Sequence, residues 1–520
     1  MFPRLTGVMG LLVTAGCAHQ APIDVAAPQV DEACRRDFSV RTQAELAVAA
    51  ACVHIDGSLT IQNLRGGALE LPLLESVSGR LSILDNDDAV DLSGLSKLRT
   101  VGRLNIEGNR DLASLSGLSE LRHAQQVRII HNDSLQSLSH LSNLEAVEGP
   151  LTVSTNDSLT GLDGLSQLTE IHGDVTVELN AVLGSVDGLS GVTAIAGSLT
   201  VRGNAALTDL QGLSKLQTVS GLRIAQNDAL ESLEGLSRLR AVAGNVEIDL
   251  NPTLSNLDGL SNISTVDGRL TVHANPALIQ VDGLSNLTAI GQDCSMFGNA
   301  TLASLEGLAS LESVGGALSI QSNEELKSLA GLSTLHTVGG DVLIRDSQMP
   351  SVDALSALTL VGGTLTLRNN PALEQIDGLS ALTGVEGSVE MLENPSLTGI
   401  NGLSGLATIG GSIRVRENDS LLHVNGFAGL VEVTDISVRR NPLLIDLAGL
   451  TELASVQGNL HLVSNDSLTS LRGLSQLASV GGTLAIGGNA KLCQAEAVDA
   501  LLAQLEVGGE SQTGENKDDC

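Results

Sequence analysis

The chain has 520 residues, 60 acidic against 28 basic side chains and a net charge of -32, with no Trp, no Tyr and four Phe. So large an acidic excess opposes nucleic-acid binding and attachment to anionic membranes through a basic surface. The shortage of aromatic rings also removes the stacking platforms used by sugar-cleaving β-helices and most sugar-binding grooves. Ten His are scattered along the chain, and no Ser/His/Asp order, zinc spacing or phosphate loop stands apart from the rest. Non-catalytic work is therefore expected.

Residues 1–16 read as an export leader, in which Arg4 precedes the mostly apolar stretch 5–15 and Thr14-Ala15-Gly16 leads into Cys17. The segment is too short for a membrane span. It resembles a bacterial lipoprotein signal, which implies lipidation at Cys17 and localisation at the outer membrane or cell surface; an ordinary leader with a free Cys17 is the competing reading. Residues 17–33, rich in Ala and Pro, form an expected tether. Over 34–56, Thr42-Gln43-Ala44-Glu45 is a capping box opening a short helix. Cys34 and Cys52 flank it, while Cys493 and Cys520 flank a second expected helix over 494–505. One disulfide at each end, over 34–56 and 493–520, would staple the outermost coils in an oxidising compartment. Cys294 stands alone on an inward position and is expected as a small buried hydrophobe.

Between these ends, over 57–492, an Asn returns every 23 or 24 residues, from Asn86, Asn109 and Asn132 to Asn441, Asn465 and Asn489, with Ser347 the one break. Apolar residues occupy the positions five and three before each Asn, such as Leu81 and Ile83 or Leu270 and Val272. That alternation predicts one short strand per coil, and a fixed period in this range predicts a solenoid of about 19 coils, a rod of roughly 90 Å. The Asn column is expected to be structural, bonding backbone groups of adjacent coils. Eight residues after the Asn, Gly94, Gly117, Gly164 and Gly188 mark a corner that needs positive φ or close neighbouring backbone, and the following Ser (Ser96, Ser119, Ser190) can close that turn. Around Ser347 the coil also carries Ala354 in place of the corner Gly, so irregularity is expected there.

Runs such as Gly197-Ser198-Leu199-Thr200-Val201-Arg202-Gly203-Asn204 and Leu210-Gln211-Gly212-Leu213-Ser214-Lys215-Leu216 resemble receptor L-domain repeats, relatives of leucine-rich repeats, over about 56–492. The resemblance implies a right-handed parallel β-helix used to bind proteins or glycans. In bacterial members it implies a secreted or surface protein. The single uninterrupted array with few cysteines departs from animal receptors, so no hormone-receptor role is carried over.

Two constellations remain as candidate sites. Seven residues after the Asn, Asp163, Asp187, Glu234, Asp258, Asp282 and Glu306 recur along the coils with Gln211 interrupting, successive members standing about 5 Å apart when stacked. They would suit Ca²⁺, or serve only as turn formers before the corner Gly. Two residues before the Asn column lie Arg345, Arg368, Arg416 and Arg439, with Leu392 interrupting and Arg414 and Arg440 nearby. That stripe could bind an acidic protein patch or an anionic polysaccharide; alternatively it pairs across strands with Glu390, Glu393 and Glu417. A lipid-anchored binding solenoid is the expected function, with a structural envelope spacer and a polysaccharide-active β-helix enzyme as alternatives.

Overall fold

Four-residue alternation builds the strand of each coil. In Val246–Asp249, Val246 and Ile248 are fully buried while Glu247 and Asp249 face outward. The next coil repeats the pattern in register, Val246 beside Leu270 and Ile248 beside Val272, and the coil after adds Cys294 and Met296. A computed structural model describes residues 32–64, 68–86, 91–518 and 520; Cys17, the leader and most of the tether lie outside the described residues. Within them the strands form a 34-stranded parallel sheet and a smaller four-stranded one. Equivalent positions of adjacent coils pair throughout, so the chain is a β-solenoid.

Most coils have a second, two-residue strand, such as Ala241–Val242 pairing with Thr265–Val266, and a 3-10 turn such as Asp258–Leu260. The leucines between them, Leu254, Leu257 and Leu260, point inward with no exposed surface. Full burial of each such side chain contributes about 1.5–3 kcal/mol. No helix among the described residues is long and apolar enough to cross a membrane.

The Asn column forms a continuous hydrogen-bonded ladder. Asn251 Oδ1 accepts from the backbone N–H of Asn227 at 3.1 Å and from its Nδ2 at 3.3 Å. Asn251 Nδ2 donates to the Ile224 carbonyl at 3.0 Å and to Asn275 Oδ1 at 3.3 Å, so one side chain ties three coils. At the break, Ser347 turns its hydroxyl to the Arg345 carbonyl, and the Asn323 backbone N–H loses the carboxamide acceptor its counterparts have. Strand register survives there: Val342–Arg345 pairs with Leu365–Arg368 without a shift. The expected irregularity is thus confined to the ladder.

Immediately before the Asn, the chain turns through the left-handed region in nearly every coil. Leu179, Leu250, Glu417 and Arg440 have φ of 56°, 58°, 59° and 55°. A non-Gly residue there costs roughly 1 kcal/mol, and the buried Asn that follows holds it in place. The corner Gly, by contrast, answers to close approach: a Cβ on Gly259 would lie 1.7 Å from the Leu233 carbonyl oxygen. At the following Ser the turn closes through the backbone N–H, as from Ser190 to Asp187 O at 3.0 Å.

Both ends extend the ladder past the expected repeat limits of 57 and 492. Phe38–Val40 pairs with Leu59–Ile61, and Ser511–Gly514 pairs with Leu484–Gly487. Asn516 takes the next place in the Asn column, its Oδ1 accepting from Asn489 N–H at 3.3 Å. Thr42 and Glu45 form the capping box of helix Gln43–Ala49. The second helical segment is a π-helix, Gln494–Asp499, leading into the turn Ala500–Leu502. Disulfides join Cys34 to Cys52 and Cys493 to Cys520. Cys294 is fully buried, and burial pushes its thiol up to about 12.

Two substitutions test this packing. Asn251→Ala leaves the buried Asn227 N–H without its acceptor and removes the side-chain bonds to the Ile224 carbonyl and to Asn275, and is expected to cost about 3 kcal/mol, read as a lower urea midpoint. Leu250→Gly relieves the left-handed corner and is expected to stabilise by about 1 kcal/mol, offset in part by the looser unfolded chain.

Candidate binding face

Outward residues of the strands form a continuous surface along the long sheet, and strand register brings the arginine stripe together. Arg345 lies beside Arg368, Arg368 beside Leu392, Leu392 beside Arg416, and Arg416 beside Arg439. Arg414 belongs to the neighbouring outward column, next to Glu390 and Ser437, and Arg440 sits at the left-handed corner of its coil.

Most of these cations are met by carboxylates. Arg368 reaches Glu393 at 3.0 Å, Arg414 bonds Glu390, and Glu417 accepts from both Arg416 at 3.0 Å and Arg440 at 2.9 Å. Arg345 contacts Asp346 at 3.4 Å and donates to Gln321 Oε1 at 2.6 Å. The cross-strand pairing expected with Glu390, Glu393 and Glu417 is therefore formed. Such pairs are solvent-exposed, and each contributes on the order of 0.2–1 kcal/mol.

Arg439 differs. Its Nη2 bonds His461 Nδ1, its buried Nε has no hydrogen-bond partner, and its guanidinium forms no ion pair among the described residues. Arg439 and His461 line an open groove of about 540 Å³ with Arg414, Arg416, Asp435 and Asn459. Burial, and then the Arg439 charge, hold the His461 ring below the usual histidine range.

A second polar cluster on the same sheet escaped the sequence reading. Arg223 pairs with Glu247 at 2.8 Å and with Asp249 at 3.4 Å, and burial raises the Asp249 carboxyl above its ordinary value. Beside it the rings of His273 and Phe297 stack at 3.9 Å. The signal lies in the outward positions of consecutive coils, Arg223 followed by Glu247 and His273 followed by Phe297, where the residue type changes from coil to coil and forms no repeating stripe.

The acidic column lies at the turn before the corner Gly. Asp163, Asp187, Glu234, Asp258, Asp282 and Glu306 are all exposed, five of them opening 3-10 turns. Among the described residues no three His, Cys, Asp or Glu side chains converge as they would to hold a metal ion.

The hydrogen bond from Arg440, and then that from Arg416, lower the Glu417 carboxyl below its unfolded value of 4.5. Its contribution to stability is full above pH 4.5 and is lost as pH falls through the depressed value. Arg440→Ala is expected to move the Glu417 titration, followed by carboxyl NMR, back toward 4.5; an unmoved titration would mean that the 2.9 Å bond does not hold the charge.

The Receptor L domain family model matches residues 311–428, the coils that carry Arg345, Arg368, Arg414 and Arg416. No curated protein matches the chain in sequence. Among solved structures it is similar to an internalin, inlF, from Listeria monocytogenes, at 17% identity and a TM-score of 0.36 over 64% of this chain and 84% of that one. It is also similar to a leucine-rich repeat protein from Bacteroides thetaiotaomicron, at 10% identity and a TM-score of 0.37 over 84% of this chain and 52% of that one. The repeats resemble receptor L-domain repeats, and over residues 311–428 the family model that matches is the same one.

Proposed function

We propose that this chain is an exported, lipid-anchored surface protein that binds a protein or an anionic glycan on the open face of its long sheet, without catalysis. The observation that carries the reading is the continuous run of outward side chains, with a basic stripe set into a chain of net charge -32. A long, regular face of this kind suits recognition of an extended partner more than the enclosed chemistry of an active site. The two terminal disulfides support an oxidising compartment. Cys17 is the lipidation residue, with 18–33 as tether. In finer detail the rod is right-handed, the usual hand of β-crossover-β connections, and has about 19 coils capped by its terminal helices.

A structural envelope spacer is the second reading. It is favoured by the carboxylates already bound to Arg368, Arg414, Arg416 and Arg440.

The test is a screen of the protein against envelope polysaccharides and acidic proteins at low and high salt. A variant with Arg345, Arg368, Arg416 and Arg439 changed to Glu runs beside it. Binding that weakens with salt and is lost in the variant supports the receptor; equal behaviour of both proteins supports the spacer. In the native host, Cys17→Ser is expected to release the protein from the membrane fraction, and unchanged retention would refute the lipid anchor.

A further inference from the structure

The arginines of the stripe are not equivalent. Arg368, Arg414, Arg416 and Arg440 each have a carboxylate, whereas Arg439 has only a neutral imidazole, with its Nε left unpartnered. The carboxylates lining the groove are occupied. Glu390 is held by Arg414, and Asp435 accepts from the Asn459 N–H at 2.7 Å and from the Ser412 hydroxyl at 3.1 Å. Three arginines line the groove, and of the three only Arg439 has no carboxylate bonded to it among the described residues.

We propose that the groove bounded by Arg439, Arg416 and His461 is an oxyanion subsite, which receives one carboxylate, sulfate or phosphate group of the partner bound on the sheet face. The inference rests on the reading of that face as the binding surface, and it names the chemistry recognised there. The groove, about 540 Å³, lies within the roughly 300–1,000 Å³ usual for small-ligand clefts, so a sugar residue or side chain carrying the group can enter with it. A guanidinium is suited to such groups because its N–H donors match two oxygens at once.

His461 couples the subsite to pH. Its Nδ1 can accept from Arg439 only while that nitrogen is unprotonated. Protonation turns the bond into repulsion between two cations, and an oxyanion placed between them bonds to both. The groups facing the ring are Arg439 and Ser437 from the preceding strand, Ala485 from the following strand, and Asp435 and Asn459 from the groove wall. Of these, Arg439 opposes protonation and Asp435 favours it. Anion binding reverses the balance, so the anion and a proton are taken up together and affinity rises as pH falls through the histidine range.

The experiment is an NMR pH titration of the His461 ring in the full protein, its resonance assigned by His461→Gln, with sodium sulfate and with galacturonate as separate probes at constant ionic strength. Both anions are expected to raise the His461 titration midpoint, and Arg439→Gln is expected to weaken binding at least about tenfold, equal to about 1.4 kcal/mol. A response to galacturonate alone assigns the subsite to carboxylate-bearing sugars, and a response to sulfate alone assigns it to sulfate or phosphate esters. A His461 midpoint unmoved by either anion, or an Arg439→Gln protein that responds as the wild type does, overturns the proposal. The wild-type titration decides the matter even if the variant fails to fold. Small anions bound at His461 without any macromolecular partner would keep the subsite and remove the receptor reading; a partner bound equally by Arg439→Gln would do the reverse.

Discussion

A buried hydrogen-bonded column of asparagines is the constraint on which the rest of the structure depends. Each carboxamide accepts from the coil before it and donates to the coils on either side, so no coil can shift its register without breaking bonds in two neighbours. A polar group in an apolar interior is tolerated only when its bonds are complete, and repetition completes them. The same column sets the backbone. The residue before each Asn is driven into the left-handed region so that the carboxamide can turn inward, even where that residue is Leu or Glu.

Uniform corners leave few positions free to vary. Inward columns must be apolar, and at a corner Gly such as Gly259 an added Cβ would meet the neighbouring carbonyl, with His140 and Ala354 the residues that take the place of Gly in two coils. The outward positions of the long sheet carry no such demand, and there the chain departs most from its repeat: Arg223 with Glu247 in one region, the arginine stripe in another. Carboxylate pairing along the stripe does not close it to a partner. Exposed pairs are weak and screened, so an incoming anion can displace a Glu at small cost, while Arg439 offers a charge already free.

The fold was legible because period and alternation are properties of the chain itself: Leu81 and Ile83 announce their columns at every return. Asn516 was not legible, since the π-helix and its disulfide loop stretch the spacing to 27 residues and hide the last member of the series. Nor was the left-handed corner, because Leu250 and Glu417 have no intrinsic preference for that conformation; neighbouring coils impose it. At the site, the adjacency of Arg345, Arg368, Arg416 and Arg439 followed from spacing alone. Which carboxylate each would take did not, because that depends on side-chain reach across coils. The isolation of Arg439 arises from His461 standing on the next coil in the adjoining outward column, with no carboxylate paired to the guanidinium among the described residues.

If the Asn ladder locks the coils into one rigid rod, amide hydrogen exchange along the column will report it. Asn227, Asn251 and Asn275 are expected to exchange only through unfolding of the rod, while Asn323, facing Ser347, exchanges distinctly faster. Fast exchange throughout the column, with slow exchange confined to the strands, would contradict it.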